Sequence, residues 1–238
     1  MIKPFFHGVS SVNLKSNPYQ HLCSQTQIGQ VFFTLSFMTT TLSLPELLTA
    51  DLATLRQTLL NQIATEAYKE GDFTLSSGQK STYYINGKQV TLTAAGAFMT
   101  GRLILDLLAD NIDGVAGLTL GADPIVTAVS VVSAYENRPI PALIVRKKAK
   151  GHGTQAFIEG PTLPQGAKVV VLEDVVTTGR SAAEAVERLQ GVGYEVTEII
   201  SVVDREQGGA EFYASQNLKF SSLFTIADVQ QAYRSLQA

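Results

Sequence analysis

Between Thr93 and Val203 the chain alternates short apolar runs with stretches of helical period, and this alternation limits the fold more than any other feature. Residues 115–120, 141–145, 169–172 and 196–203 read as strands, and 93–110, 124–136 and 181–189 as helices. Several of the runs are apolar at consecutive positions rather than at every second one, as in strands buried on both faces. The helix between most successive strands makes them parallel. The predicted class is α/β, with a central, mainly parallel sheet flanked by helices. Ligands in such open sheets sit beyond the carboxyl ends of the strands. The loops after Leu120, Val145, Leu172 and Val203 are therefore where chemistry is expected.

Outside this core, Leu52, Leu55, Leu59, Ile63 and Ala67 recur at helical spacing behind Asp51, a candidate N-cap, with Gly71 as the expected stop. Two short strands, 73–75 and 83–85, are predicted around Ser76-Ser77-Gly78, forming a small hood near 72–90. One more strand and a helix near 226–236 complete the chain. Residues 1–37 contain no Asp or Glu and show no sustained period, so they are expected to be a poorly structured extension before a domain spanning 38–238. The apolar run from Val31 to Phe37 is far shorter than the roughly 20 residues a membrane helix needs. The segment also lacks Arg, so an extension ahead of a start at Met38 suits it better than a transit peptide.

A chain of 238 residues with net charge -3 can bury one sizeable core but has no basic field for nucleic acid. Its single cysteine, Cys23, and three histidines leave no material for an internal disulfide and make a structural zinc site a poor fit. Both facts suit a reducing cytoplasm.

The loop after Leu172 is the most specific: Glu173, Asp174, Val175, Val176, Thr177, Thr178, Gly179, Arg180 and Ser181. Hydroxyls at Thr177, Thr178 and Ser181, a close backbone approach at Gly179 and the following helix N-terminus together suit a phosphate. The two acids just past the strand can accept hydrogen bonds from vicinal hydroxyls of a ribose. The loop after Val145 carries Arg146, Lys147, Lys148, Lys150 and His152, with Gly151 and Gly153 between. Alone it reads as a solvated face or a nucleic-acid patch; beside the anion turn it suits a mobile lid closing cations over a pyrophosphate.

The segment 168–181 resembles the phosphoribosyl pyrophosphate (PRPP) motif of the type I phosphoribosyltransferases. The Arg-Lys-x-x-Lys-x-His pattern of the lid, and Asp204-Arg205-Glu206-Gln207-Gly208-Gly209, narrow the resemblance to orotate phosphoribosyltransferases. That resemblance implies PRPP contacts from Arg146, Lys147, Lys150, His152 and residues 173–181, with Lys147, Lys150 and His152 catalytic. It implies orotate contacts from Thr177 and Arg205, a pyrophosphate loop at Gly121, Ala122 and Asp123, and aromatic hood contacts from Tyr83 and Tyr84, which could equally be plain packing. It further implies Mg²⁺ carried by PRPP with no fixed protein ligand, and a homodimer whose lid acts across subunits. Two lid residues, Lys148 and Gly151, replace acids found in many relatives. Ser76 stands where some relatives have a lysine, so that contact is not carried over, although Lys80 lies close by in the turn. Two other readings compete: a purine-base phosphoribosyltransferase, which needs no Arg205 beside a carboxylate, and a non-catalytic sensor of PRPP or nucleotide.

Overall fold

The computed structural model describes residues 42–74, 80–149 and 157–238. The expectation for residues 1–37 lies outside them, as do Ser76, Lys150, Gly151 and His152. A short helix α1 (Leu44–Thr49) precedes α2 (Leu52–Gln62), whose N-cap Asp51 accepts a 2.7 Å hydrogen bond from the Thr54 amide. Leu55 and Leu59 are fully buried, as their spacing requires. The helix does not run on to Gly71. It widens into a π-helical turn (Ile63–Ala67) and enters β1 (Tyr68–Thr74), where Gly71, at φ 148°, occupies a register shift between Glu70 and Phe73. Strand β1 pairs antiparallel with β2 (Lys80–Ile85), a longer hairpin than the two short predicted strands. Its polar, exposed residues had hidden its first half from a reading based on apolar pattern.

A single turn, α3 (Lys88–Thr91), leads to α4 (Ala94–Leu107), which Thr93 caps by accepting from the Gly96 amide at 3.0 Å. Then follow β3 (Gly114–Leu118), α5 (Asp123–Tyr135), β4 (Ala142–Val145), β5 (Ile158–Glu159), β6 (Val169–Val176) and α6 (Arg180–Gly191). The chain closes with β7 (Glu198–Asp204), α7 (Gly209–Ser215), β8 (Lys219–Thr225) and α8 (Ile226–Gln237). The large sheet has the order β5-β4-β3-β6-β7-β8 and is parallel except for β5, which pairs antiparallel with β4. The α/β expectation holds. The elements that the sequence did not announce are short: β5 has two residues, α3 four, α1 six and α7 seven, too few to set a period.

Strand β6 also runs four residues beyond Leu172, so Glu173 and Asp174 lie within it rather than after it. The ladder to β7 continues through Glu173↔Ser201, Val175↔Val203 and Val176↔Asp204. Backbone pairing at the sheet centre overrides the low strand propensity of two acids. Successive β6 residues feed opposite cores: Val170 and Leu172 pack with α2, α4, α5 and α8, whereas Val169 and Val171 pack with α6 and α7. The chain crosses sides of β3 between β4 and β6, which opens the crevice at the strand carboxyl ends.

Packing is close where β3 turns toward α5. A Cβ added at Gly117 would lie 2.2 Å from Ala122 Cβ and 2.6 Å from Leu172 O. Overpacking there forces a backbone shift. Gly117→Ala is expected to cost about 1–3 kcal/mol and to lower the melting temperature by roughly 2–10 °C in a thermal-denaturation scan.

Candidate active site

At the carboxyl ends of β6 and β7, under the β1–β2 hairpin, lies a cavity of about 650 Å³. Glu173, Val175, Val176, Thr177, Thr178, Gly179, Arg180, Ser181 and Arg205 line one part of it, and Phe73, Thr74, Tyr84 and Ile85 line another. The size suits a bound substrate of drug-like dimensions.

The turn that joins β6 to α6 is shaped by what lies beneath it. Gly179 takes φ 81°, a left-handed conformation that favours glycine, and a Cβ there would meet the Tyr213 ring at 2.8 Å. The turn thereby rests on Tyr213, which is wholly buried, and aims the N-terminus of the twelve-residue α6 into the cavity. Unpaired amides, the helix dipole and the hydroxyls of Thr177, Thr178 and Ser181 make this the anion end of the site.

Glu173 is 7 % exposed, and its Oε2 has no hydrogen-bond partner among the described residues. Burial, and next the neighbouring charge of Asp174, hold its carboxyl well above the usual carboxylate range. The Tyr213 hydroxyl is also buried and without a partner there, and burial followed by the charges of Glu173 and Asp204 raises it too. Asp174 is less enclosed. Its Oδ1 accepts from the Val175 amide at 3.0 Å, and Lys88 Nζ lies 3.4 Å from Oδ2. Lys88 carried no signal in the sequence, because its partner is 86 positions away and it sits on a single helical turn.

The loop after β3 closes over the acidic pair. A Cβ at Gly121 would fall 2.5 Å from Asp174 Oδ1, so the loop approaches this closely only with glycine there. Its Thr119–Leu120 peptide is cis. Ala122 is buried, and Thr119 Oγ1 donates to Asp123 Oδ2 at 2.8 Å, at the start of α5. The structure thus brings Gly121 beside Asp174.

The start of the basic loop after β4 is anchored. Arg146 donates from its amide to Phe157 O at 2.7 Å and pairs with Glu159 through Nη1 at 2.9 Å. Arg188 on α6 donates to the carbonyls of Arg146 and Lys147 and covers the Phe157 ring at 4.2 Å. Lys147 and Lys148 are exposed. Arg188 is the second residue that sequence reasoning missed, since the roughly one-turn spacing to Glu184 suggests only an ordinary surface pair.

On the wall of the same cavity, just past β7, Arg205 is 6 % exposed, and its guanidinium has only neutral partners among the described residues: Tyr83 Oη at 3.2 Å, Ser81 Oγ at 3.1 Å and the Tyr83 ring at 4.6 Å. A buried cation without an anion is costly, so this part of the cavity calls for a negative group. The two hood tyrosines part company. Tyr84, 43 % exposed, lines the cavity and packs its ring 5.6 Å from Phe73, whereas Tyr83 is buried between Arg205 and Tyr68. Lys80 Nζ donates to Thr74 Oγ1 at 2.8 Å, within the hairpin.

Residues 88–221 match the phosphoribosyl transferase domain. The orotate phosphoribosyltransferase of Nostoc sp. is 70 % identical over 188 residues, covering 79 % of this chain and 91 % of the relative. The chain belongs to the orotate phosphoribosyltransferase family. Among solved structures of the family, that of Mycobacterium tuberculosis orotate phosphoribosyltransferase with Fe(III) dicitrate matches with TM-score 0.66 and 41 % identity, covering 74 % of this chain and 98 % of the other. The same enzyme in complex with PRPP matches with TM-score 0.62 and 37 % identity, covering 74 % and 99 %. The sheet and flanking helices are those of the type I phosphoribosyltransferase fold.

The state of Glu173 in this family member has a measurable effect. Unfolded, its carboxyl titrates near the ordinary glutamate value of 4.5; folded, it keeps its proton to higher pH. Above that ordinary value the native state binds more protons than the unfolded one, so stability falls as pH rises toward the raised native pKa. Glu173→Gln cannot titrate. Its melting temperature is expected to decline less than that of the parent as pH rises from 4.5 upward, and an identical pH profile would show that Glu173 is already ionised in the fold.

Proposed function

We propose that this phosphoribosyltransferase of pyrimidine nucleotide synthesis transfers the 5-phosphoribosyl group of PRPP to orotate, yielding orotidine 5'-phosphate and pyrophosphate, at the cavity between the hood and the β6–α6 turn. The observation that carries the assignment of the base is Arg205, a buried guanidinium with no carboxylate partner among the described residues. A guanidinium fork matches a planar carboxylate, which orotate has and the common purine bases lack.

The roles divide along the cavity. Thr177, Thr178, Gly179 and Ser181 receive the 5-phosphate, and Glu173 and Asp174 hold the ribose hydroxyls. Thr177 and Arg205 face orotate, with Tyr84 against the ring. Gly121, Ala122 and Asp123 receive the leaving pyrophosphate. A ring nitrogen of orotate bonds to C1 of the ribose as the bond from C1 to pyrophosphate breaks, so no covalent enzyme intermediate is needed. Positive charge develops on the sugar and negative charge on the leaving group. Rate enhancement then comes from alignment, and from cations of the lid, Lys147, Lys150 and His152, that meet the pyrophosphate as it departs. A single well-placed donor of this kind contributes about 3 kcal/mol, roughly a hundredfold in rate.

No cluster of acids or histidines that could cage a metal is found among the described residues, which suits an Mg²⁺ ion carried by the substrate's own phosphate oxygens. Bound there, Mg²⁺ would supply neutralisation of charge on the leaving group. A homodimer is supported by an apolar face between α4 and α5, where Leu92, Leu120 and Val131 are 69 %, 71 % and 55 % exposed around a hollow of about 690 Å³ beside the pyrophosphate loop. Residues 38–238 form the catalytic domain, and the cytoplasm is its compartment; no helix among the described residues is long and apolar enough to cross a membrane.

The test is the loss of orotate's ultraviolet absorbance when PRPP and Mg²⁺ are added to purified protein, with uracil, adenine and hypoxanthine as parallel acceptors. Rapid, Mg²⁺-dependent loss confined to orotate is expected. Arg205→Ala should raise the orotate KM at least about a hundredfold, as for a truncated buried charge contact, and leave PRPP affinity little changed. Turnover of a purine instead of orotate would overturn the assignment.

A further inference from the structure

The partners of Arg205 are arranged more tightly than simple burial of an arginine requires. Ser81 Oγ donates its own proton to Tyr83 O at 2.7 Å, which leaves only its lone pairs to face Arg205 Nη2 at 3.1 Å. Ser81 is thereby fixed as an acceptor. Tyr83 Oη accepts from Arg205 Nε at 3.2 Å, while the Tyr83 ring lies 4.6 Å from the guanidinium carbon. On its other side the Tyr83 hydroxyl meets Gln207, whose Nε2 is 3.3 Å away and whose Oε1 is buried with no partner among the described residues. Turning that amide over lets Tyr83 donate to Oε1, so Gln207 steadies the phenol in either orientation. The Arg205 amide donates to Val176 O at 2.9 Å, which fixes the backbone from which the side chain starts.

These contacts occupy one edge of the guanidinium, the edge shared by Nε and Nη2. The end carrying Nη1 and the second Nη2 proton has no partner among the described residues. A fork–fork bond to a carboxylate needs two parallel N–H groups in one plane, and a flexible arginine must lose several rotamers to present them. Here the plane is set before any ligand arrives.

We propose that Tyr83, Ser81 and Gln207 are positioning residues that orient Arg205 for bidentate capture of the orotate carboxylate, so that specificity for a carboxylate-bearing base resides in the hood hairpin as well as in the arginine. The inference rests on the reading of Arg205 as the base anchor. It gives the hairpin a task other than covering the site, because Ser81 and Tyr83 belong to β2, whereas Arg205 and Gln207 follow β7. It also separates the two tyrosines: Tyr84 faces the substrate and Tyr83 acts through Arg205.

The experiment compares steady-state kinetics of Tyr83→Phe, Ser81→Ala, Ser81→Thr and Arg205→Ala in the full chain. Tyr83→Phe keeps the ring and loses only the hydroxyl. Each of Tyr83→Phe and Ser81→Ala is expected to raise the orotate KM about tenfold, the usual effect of losing a hydrogen bond to a charged group, with kcat and the PRPP KM changed less than about twofold. Ser81→Thr retains the hydroxyl and should stay near the parent. If Tyr83→Phe and Ser81→Ala leave the orotate KM unchanged while Arg205→Ala abolishes orotate use, the positioning role is wrong and the base assignment stands. If Arg205→Ala itself leaves the orotate KM unchanged, the base assignment fails and the positioning role with it. Equal losses for orotate and PRPP would mark a purely structural role for the hairpin and overturn the proposal. Ser81 is only half-buried, so its alanine variant keeps the test open should Tyr83→Phe fold poorly.

Discussion

The hydrogen-bonded ladder between β6 and β7 carries the catalytic face. Because it continues through Glu173 and Val176, two acids are delivered on rigid backbone to the crevice, and the next three residues can turn directly into a helix. The register that pairs Val176 with Asp204 also sets where β7 ends, and so where Arg205 begins. The anion turn and the arginine on the cavity wall are thus fixed by one set of backbone bonds. Had β6 stopped at Leu172, the acids would stand on a loop and their spacing from Arg205 would be free to vary.

Around that ladder, several groups occupy environments that oppose their ordinary ionisation or pairing. Glu173 is a buried carboxyl beside another acid, and among the described residues Tyr213 is a buried phenol without a partner and Arg205 a buried cation without an anion. Such features cost stability, and they gather where ligands bind. The two cores on either face of the sheet are large enough to bear the cost, with the apolar residues of β3, β6 and β7 almost all fully buried. The β6–α6 turn shows the same coupling between packing and site, since Gly179 approaches Tyr213 too closely for any side chain.

Much of this was legible in the sequence. The strand–helix alternation gave the sheet class, and the residue types at 173–181 gave the chemistry of the anion turn, because a turn of Thr, Gly and Ser before a helix is a local construction. The hidden parts have physical reasons. Strand β5 and helix α7 are too short to show a period, and β1 is too exposed to show alternation. The contacts of Lys88 with Asp174, and of Arg188 with the start of the basic loop, join positions 86 and about 41 residues apart, and no local pattern reports them.

The sequence by itself determined which elements form and which residue types stand at their ends, since periodicity, capping and turn chemistry act over a few residues. The tertiary structure alone decided how far β6 extends, that Glu173 is enclosed, and that the two adjacent tyrosines of the hood face different ways. Side chains alternate across a strand, but which face meets the cavity is set by what the hairpin packs against. Burial by distant elements likewise sets the proton affinity of Glu173 and the pairing of Arg205, and it exists only once the sheet has brought together segments more than a hundred residues apart.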